Sequence, residues 1–351
     1  MIYMNVVISD NREYKEFVGI SFSKFKKTHV KKEMLKCIMN CSVEQSCYWA
    51  GELICAGHYI DLWEIIILFA SKHIHSGNPK LPIYIAMRIK AFKELADNHI
   101  GDELSLRNNL QIRELFAEIV TILCYSKKSH AFDNVKLTKG EEFSMEFMQT
   151  MLKAPNISYA GIVFKPEDPK ELFIAINELS YHMSDDSKNS YNACYWLEWL
   201  IEFGMTCKKN KQECISERRP FAMVDEKYKK DSIWIIWELM IVVAKQKKCI
   251  VTVKIIESLL DIFCLKYTNG SKRKRKYILY NCISILNEPF DNALPIWSDK
   301  TQIMKVTQKI NVLYKEIKKN ETISDKPLPA RNNLTNTFEK LEIMSKHSAV
   351  S

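Results

Sequence analysis

The chain has 351 residues, of which 47% are hydrophobic, and a formal charge of +9. That length and apolar content suffice for two packed domains and exclude a generally disordered chain, while nine glycines and ten prolines are too few turn-formers for a many-stranded sandwich or barrel. The charge permits contact with polyanions but is modest for the length, and the eleven cysteines, without a C-x-x-C pair, lie mostly in apolar stretches as buried thiols, with Cys207 and Cys214 read as surface thiols, which points to a reducing compartment, cytoplasmic or nuclear.

Residues 1–21 lack the basic start and long apolar core of a signal peptide and read as a short N-terminal arm. Residues 22–125 form a first helical bundle, with apolar residues recurring at three and four. The predicted helices cover 28–40, a stretch from Ser42-Val43-Glu44-Gln45, which has capping-box spacing, to a C-cap at Gly57, then 61–73, 81–96 and 104–125. Residues 126–166 mix Lys127-Lys128, Lys139-Gly140 and Ala154-Pro155-Asn156, a linker with one short helix.

A second bundle spans 167–290. Its first helix, 168–183, opens on Asp168-Pro169 as N-cap and first-turn proline, and its second ends at Gly204. Residues 205–230, with Lys208-Lys209-Asn210-Lys211 and Arg218-Arg219-Pro220, form a basic insertion exposed to solvent. Helices follow over 231–245, 252–266 and 272–286. The segment 291–320 carries a final amphipathic helix over 301–319, and 321–351, with Lys326-Pro327-Leu328-Pro329, is a flexible tail with a short helix near 337–344. The most apolar windows, 62–70 and 233–244, fall short of the roughly 20 residues of a membrane span.

The two bundles carry one pattern. Residues 46–57 align without a gap on 193–204, where Cys47, Tyr48, Trp49, Leu53, Ile54 and Gly57 coincide with Cys194, Tyr195, Trp196, Leu200, Ile201 and Gly204. Trp63-Glu64 and Trp237-Glu238 then head matching aliphatic runs, once the insertion 205–230 is allowed for. The expected fold is all-α, two pseudo-repeated helical bundles that bury their Tyr-Trp pairs alike, with a short N-terminal arm and a mobile C-terminal tail.

Phosphate-loop chemistry needs a glycine-lysine step, and no Gly-Lys dipeptide occurs, nor any G-x-G-x-x-G, G-x-S-x-G or H-E-x-x-H. No catalytic residue, cofactor or metal is therefore expected. His73 and His75, with His58, could supply metal ligands, but an i, i+2 pair diverges at a helix end, and Cys207 and Cys214 match no zinc-knuckle spacing. Glu64 and Glu238 would be acid or base groups if buried; one charged position per turn on the solvent side is the expected reading. Trp49, Trp63, Trp196, Trp199, Trp234 and Trp237 read as core.

Nucleic-acid contact has two candidate clusters. Lys272, Arg273, Lys274, Arg275 and Lys276 open a helix, and Lys27, Lys31 and Lys32, with Lys24, Lys26 and Lys36, enrich the first helix region. Cations on one helix face can track phosphates; a solvated face or a nuclear-import signal accounts for them equally well.

Residues 46–80, through Tyr48, Trp49, Leu53, Ala56, Gly57, Phe69, Ala70, Ser71 and Pro79, resemble the helical region that follows the motor in clamp-loader-like recombination ATPases. Lys72 and His73 stand where that pattern continues with acidic residues, and the nucleotide-binding motor is missing, so the resemblance implies a collar-like helical fold without ATPase activity. Abundant Lys, Ile and Asn also resembles proteins of large AT-rich DNA viruses, which would place the chain in a host cell or virion. The expected function is a non-enzymatic scaffold or interaction module in replication, repair or transcription, with a protein partner or homo-oligomer, nucleic acid as a further candidate partner, and no membrane. A virion structural or assembly protein is the alternative, and an enzyme of unrecognised type the third reading.

Overall fold

The computed structural model describes residues 6–10, 12–132, 135, 137, 143–212, 214–297 and 299–322. Among them are fourteen α-helices and no strand, so the protein is all-α. The expectations at Lys139-Gly140, for the start of the arm and for the tail from 323 onward lie outside the described residues. No helix among those described is long and apolar enough to cross a membrane.

The chain divides into two compact units. The first takes its described residues from Met1–Ala70, Tyr84–Lys128 and Pro295–Ser351, the second from Ser71–Ile83 and Ser129–Leu294. In the first, α2 (Val43–Cys55) is central: α1 (Lys27–Met39), α3 (Tyr59–Phe69) and α6 (Leu110–Tyr125) pack on it and on one another. The three-four spacing of Ile112, Leu115, Phe116, Ile119, Val120 and Leu123 puts a wholly buried stripe on α6. From α4 (Leu81–Asp97), Phe92 meets Trp63 at 5.9 Å and Phe116 at 5.4 Å between ring centroids.

The predicted fifth helix is two. α5 (Glu103–Asn108) stops one residue before α6, and the Asn109 side chain between them accepts the Ile112 N–H as an N-cap. The last helix, α14 (Lys300–Lys318), packs on α2 and α6, with Tyr314 and Ile317 buried. The approach is close at Gly51, where a Cβ would lie 2.6 Å from Ile317 Cδ1, the far end of a flexible side chain. The arm is not loose: Ile8 exchanges backbone N–H and C=O bonds with the Asn108 amide, 2.8 Å each, and buried Asp10 accepts the Thr322 N–H at 2.8 Å. Thr322, expected in the flexible tail, is thus held.

The second unit is built on α9 (Ser190–Lys209), which contacts α8 (Phe173–Met183), α10 (Ile233–Gln246) and α13 (Lys276–Asn287). α8 also touches α10 and α13, and α11 (Ile250–Cys264) packs on α10 and α13. Trp237 meets Phe263 of α11 at 5.2 Å, as Trp63 meets Phe92, and the buried indole nitrogens of Trp63 and Trp237 both lack a hydrogen-bond partner among the described residues. The stretch expected as a linker carries α7 (Met145–Met151), the one short helix expected there, followed by a 3-10 turn at Tyr159–Ile162, and from Ser129 onward its described residues belong to the second unit.

Several local expectations are corrected. Asp168 does not cap α8; its carboxylate is taken by Arg219. Gly204 is not a C-cap, since α9 runs through it to Lys209, and Lys211 at φ 57° supplies the left-handed turn, with Gln212 N–H donating to Cys207 O at 2.8 Å. Gly57 does terminate α2, at φ 70°, with His58 N–H donating to Leu53 O at 2.8 Å. Ser42 precedes α2 but makes no side-chain cap. The Tyr-Trp pairs share their ring geometry, centroids 5.4 Å apart in both, yet differ in burial: Tyr195 and Trp196 are sealed in, whereas Tyr48 and Trp49 are half-buried, with Phe25 and His29 against Trp49.

Candidate nucleic-acid interface

The cationic run 272–276 does not form one exposed helical face. α12 (Ser271–Lys274) ends at Arg275, and α13 starts immediately after it. Arg275 is 4% exposed and its Nη1 donates to Phe263 O at 2.7 Å and Leu265 O at 2.5 Å, the carbonyls that end α11. A guanidinium there satisfies orphan acceptors and complements the negative end of the helix dipole. It is thereby withdrawn from solvent, a correction to its place among the phosphate-contacting candidates.

Lys272 donates to both Asp231 oxygens at 3.0 Å, and Lys276 to Glu198 at 2.5 Å. Glu198 also accepts from Tyr280, whose phenol is held well above its ordinary pKa by burial and by that carboxylate. Arg273 and Lys274 remain exposed. In the first unit, Lys27 is tied to Asp61 at 3.0 Å, whereas Lys31 and Lys32 are exposed, as are Lys24, Lys26 and Lys36. The available cations therefore fall into one group on or just before α1 and one at α12.

The remaining titratable candidates have structural partners. His75 Nδ1 lies 3.0 Å from Ser71 O and Nε2 2.8 Å from Ser284 Oγ, and His58 Nε2 lies 2.9 and 2.7 Å from Phe17 O and Ile20 O. Burial lowers the pKa of both, so both are neutral at neutral pH. His73 sits with its Nδ1 3.2 Å from that of His130. Burial raises the Cys207 thiol, beside Cys214. Glu64 and Glu238 are half-buried, and Glu238 accepts from Arg219 Nε at 2.8 Å. Among the described residues no group of three or more His, Cys, Asp and Glu side chains is placed to hold a metal ion.

Two features escaped the sequence reading. Arg219, in the stretch read as an exposed basic loop, is fully buried. Phe25 sits within 5.4 Å of Trp49, and the interleaving of Phe22, Lys24, Phe25, Lys26 and Lys27 just before a helix is the signal that could have found it. Comparison with protein-family models, with curated proteins and with solved structures finds no match to this chain.

Proposed function

We propose that the chain is a non-enzymatic, collar-like helical scaffold, made by duplication of a six-helix unit, that joins a protein partner or a second copy of itself to nucleic acid. The helices α1 to α6 and α8 to α13 correspond in order, and each pairing among α1, α2, α3 and α6 has its counterpart among α8, α9, α10 and α13. Both fifth members break after a short first turn, at Asn109 and at Arg275. The matching order and pairings of the helices, with a tryptophan of the third member meeting a phenylalanine of the fourth in each set, support common descent.

The observation that carries the nucleic-acid part is the solvent side of α1, where Lys31, Lys32 and Lys36 are exposed and Glu33 is the only acidic residue of the helix. Such a face binds phosphates without reading bases, and its affinity falls steeply with salt. Fluorescence anisotropy with a labelled DNA duplex at about 50 and about 200 mM salt tests it. Wild type is expected to bind at the lower salt and to weaken by orders of magnitude at the higher, and Lys31→Glu/Lys32→Glu to lose at least about tenfold. No binding at the lower salt, or binding indifferent to the charge reversal, overturns it. Nuclease-resistant co-purification with capsid material would instead favour the virion-assembly reading.

A further inference from the structure

The segment ahead of α1 is a rigid turn. Gly19 at φ 81° and Lys24 at φ 66° reverse the chain, an isolated antiparallel bridge joins Ile20 to Lys26, and Ser21 N–H donates to Phe25 O at 2.8 Å. A left-handed lysine is a cost that persists only where the surroundings over-determine it. Here they do: Glu52 of α2, fully buried, accepts Ser21 Oγ at 2.7 Å, Ser23 N–H at 2.9 Å and Ser23 Oγ at 2.6 Å. Trp49 lies three residues before Glu52, on the same face of the helix, so the anchored turn sets Phe25 beside its indole.

The outcome is an aromatic surface left open to solvent. Phe25 is 38% exposed and His29 is exposed; each meets half-buried Trp49 edge-on, at 5.4 and 5.7 Å, and Tyr48 adjoins Trp49 at 5.4 Å. In α9 the aligned Tyr195 and Trp196 are buried. Lys24 and Lys26 flank the rings from the turn, and Lys32 and Lys36 follow His29 at i+3 and i+7 on the same side of α1. Of the nearby carboxylates, Glu52 is buried in its contacts with Ser21, Ser23 and Tyr48, Asp61 holds Lys27, and Glu33, one turn after His29, is half-buried beside Cys37, leaving the exposed lysines in excess.

We propose that this surface binds single-stranded nucleic acid, with unpaired bases stacking on Phe25, His29 and Trp49 and the backbone phosphates tracked by Lys24, Lys26, Lys32 and Lys36. The proposal rests on the nucleic-acid reading above and names its ligand. Rings ringed by lysines repel cationic peptides, and a duplex keeps its bases stacked and offers only phosphates, so the combination fits a flexible polyanion with free π-faces.

Anisotropy titrations with labelled oligothymidylate and with a hairpin duplex of equal phosphate number test it. Wild type is expected to prefer the single strand. Phe25→Ala, at an exposed turn position, should weaken single-strand binding about 5- to 100-fold and bring the two affinities together, while Phe25→Tyr restores the preference. Equal affinity of wild type for both ligands, or a single-strand preference that survives Phe25→Ala with the thermal midpoint unchanged, overturns this proposal alone. No binding to either ligand at low salt overturns the parent reading with it.

Discussion

Arg219 places all five of its N–H donors. Nε donates to Glu238 at 2.8 Å, Nη1 to Asp168 at 2.6 Å and Glu217 O at 2.8 Å, and Nη2 to Val163 O at 3.1 Å and Asp168 at 2.6 Å. One buried guanidinium therefore gathers the insertion, the approach to α8 and the middle of α10. Such a pair gains little over an apolar substitute of the same shape, but breaking it leaves a buried carboxylate without its counter-charge. Arg219→Met is expected to destabilise the protein by about 3–5 kcal/mol in chemical denaturation, and Arg219→Met/Asp168→Asn by less, because the orphan charge is gone. A double variant as unstable as the sum of the two single ones would refute the pairing argument. None of this was legible in the sequence: Asp168-Pro169 carries a helix-start signal and Arg218-Arg219 a loop signal, and both are local. The bond that decides them joins residues 51 apart in the chain. The same blindness put Arg275 in a phosphate-binding run, since five consecutive cations carry no mark of which one turns inward.

The helices themselves were legible, because a buried stripe imposes the three-four period wherever a helix lies on a core. Their ends were legible only where the local residue decides. Gly57 ends α2 because the chain needs φ 70° there, whereas Gly204, equal in the alignment, has no such demand and stays inside α9. α14 was found as an amphipathic helix, but its seat on α2 and α6 was not, since an apolar stripe does not say what covers it. Gly51 held the clue, as the residue in the motif helix without a side chain to obstruct the approach. Gly51→Leu is expected to displace Ile317, and Tyr314 3.7 Å from the position of that Cβ, and to destabilise the first unit by about 1–3 kcal/mol, the usual cost of overpacking. Gly51→Ala meets only the mobile end of Ile317 and should cost less. Thermal unfolding that ranks the two alike would count against the close approach of α14.

At the scale of the whole molecule, the question is whether the chain has one core or two. Each unit has its own tryptophan-phenylalanine centre, Trp63 with Phe92 and Phe116 in the first and Trp237 with Phe263 in the second. The chain, however, passes between units at residues 70–71, 83–84, 128–129 and 294–295, so neither is a continuous segment that a simple truncation could isolate. Local stability then has to be read in place. Amide hydrogen exchange followed by peptide mass spectrometry does this, since protection in each helix reports the free energy of the opening that exposes it. Gly51→Leu should raise exchange in α2, α6 and α14 while leaving α9 and α10 protected, and Arg219→Met should raise it in α8 and α10 while leaving α2 and α6 protected. If either variant instead raises exchange uniformly through both sets, the two units unfold as one, and the stability of each fails to behave as the property of a separate core.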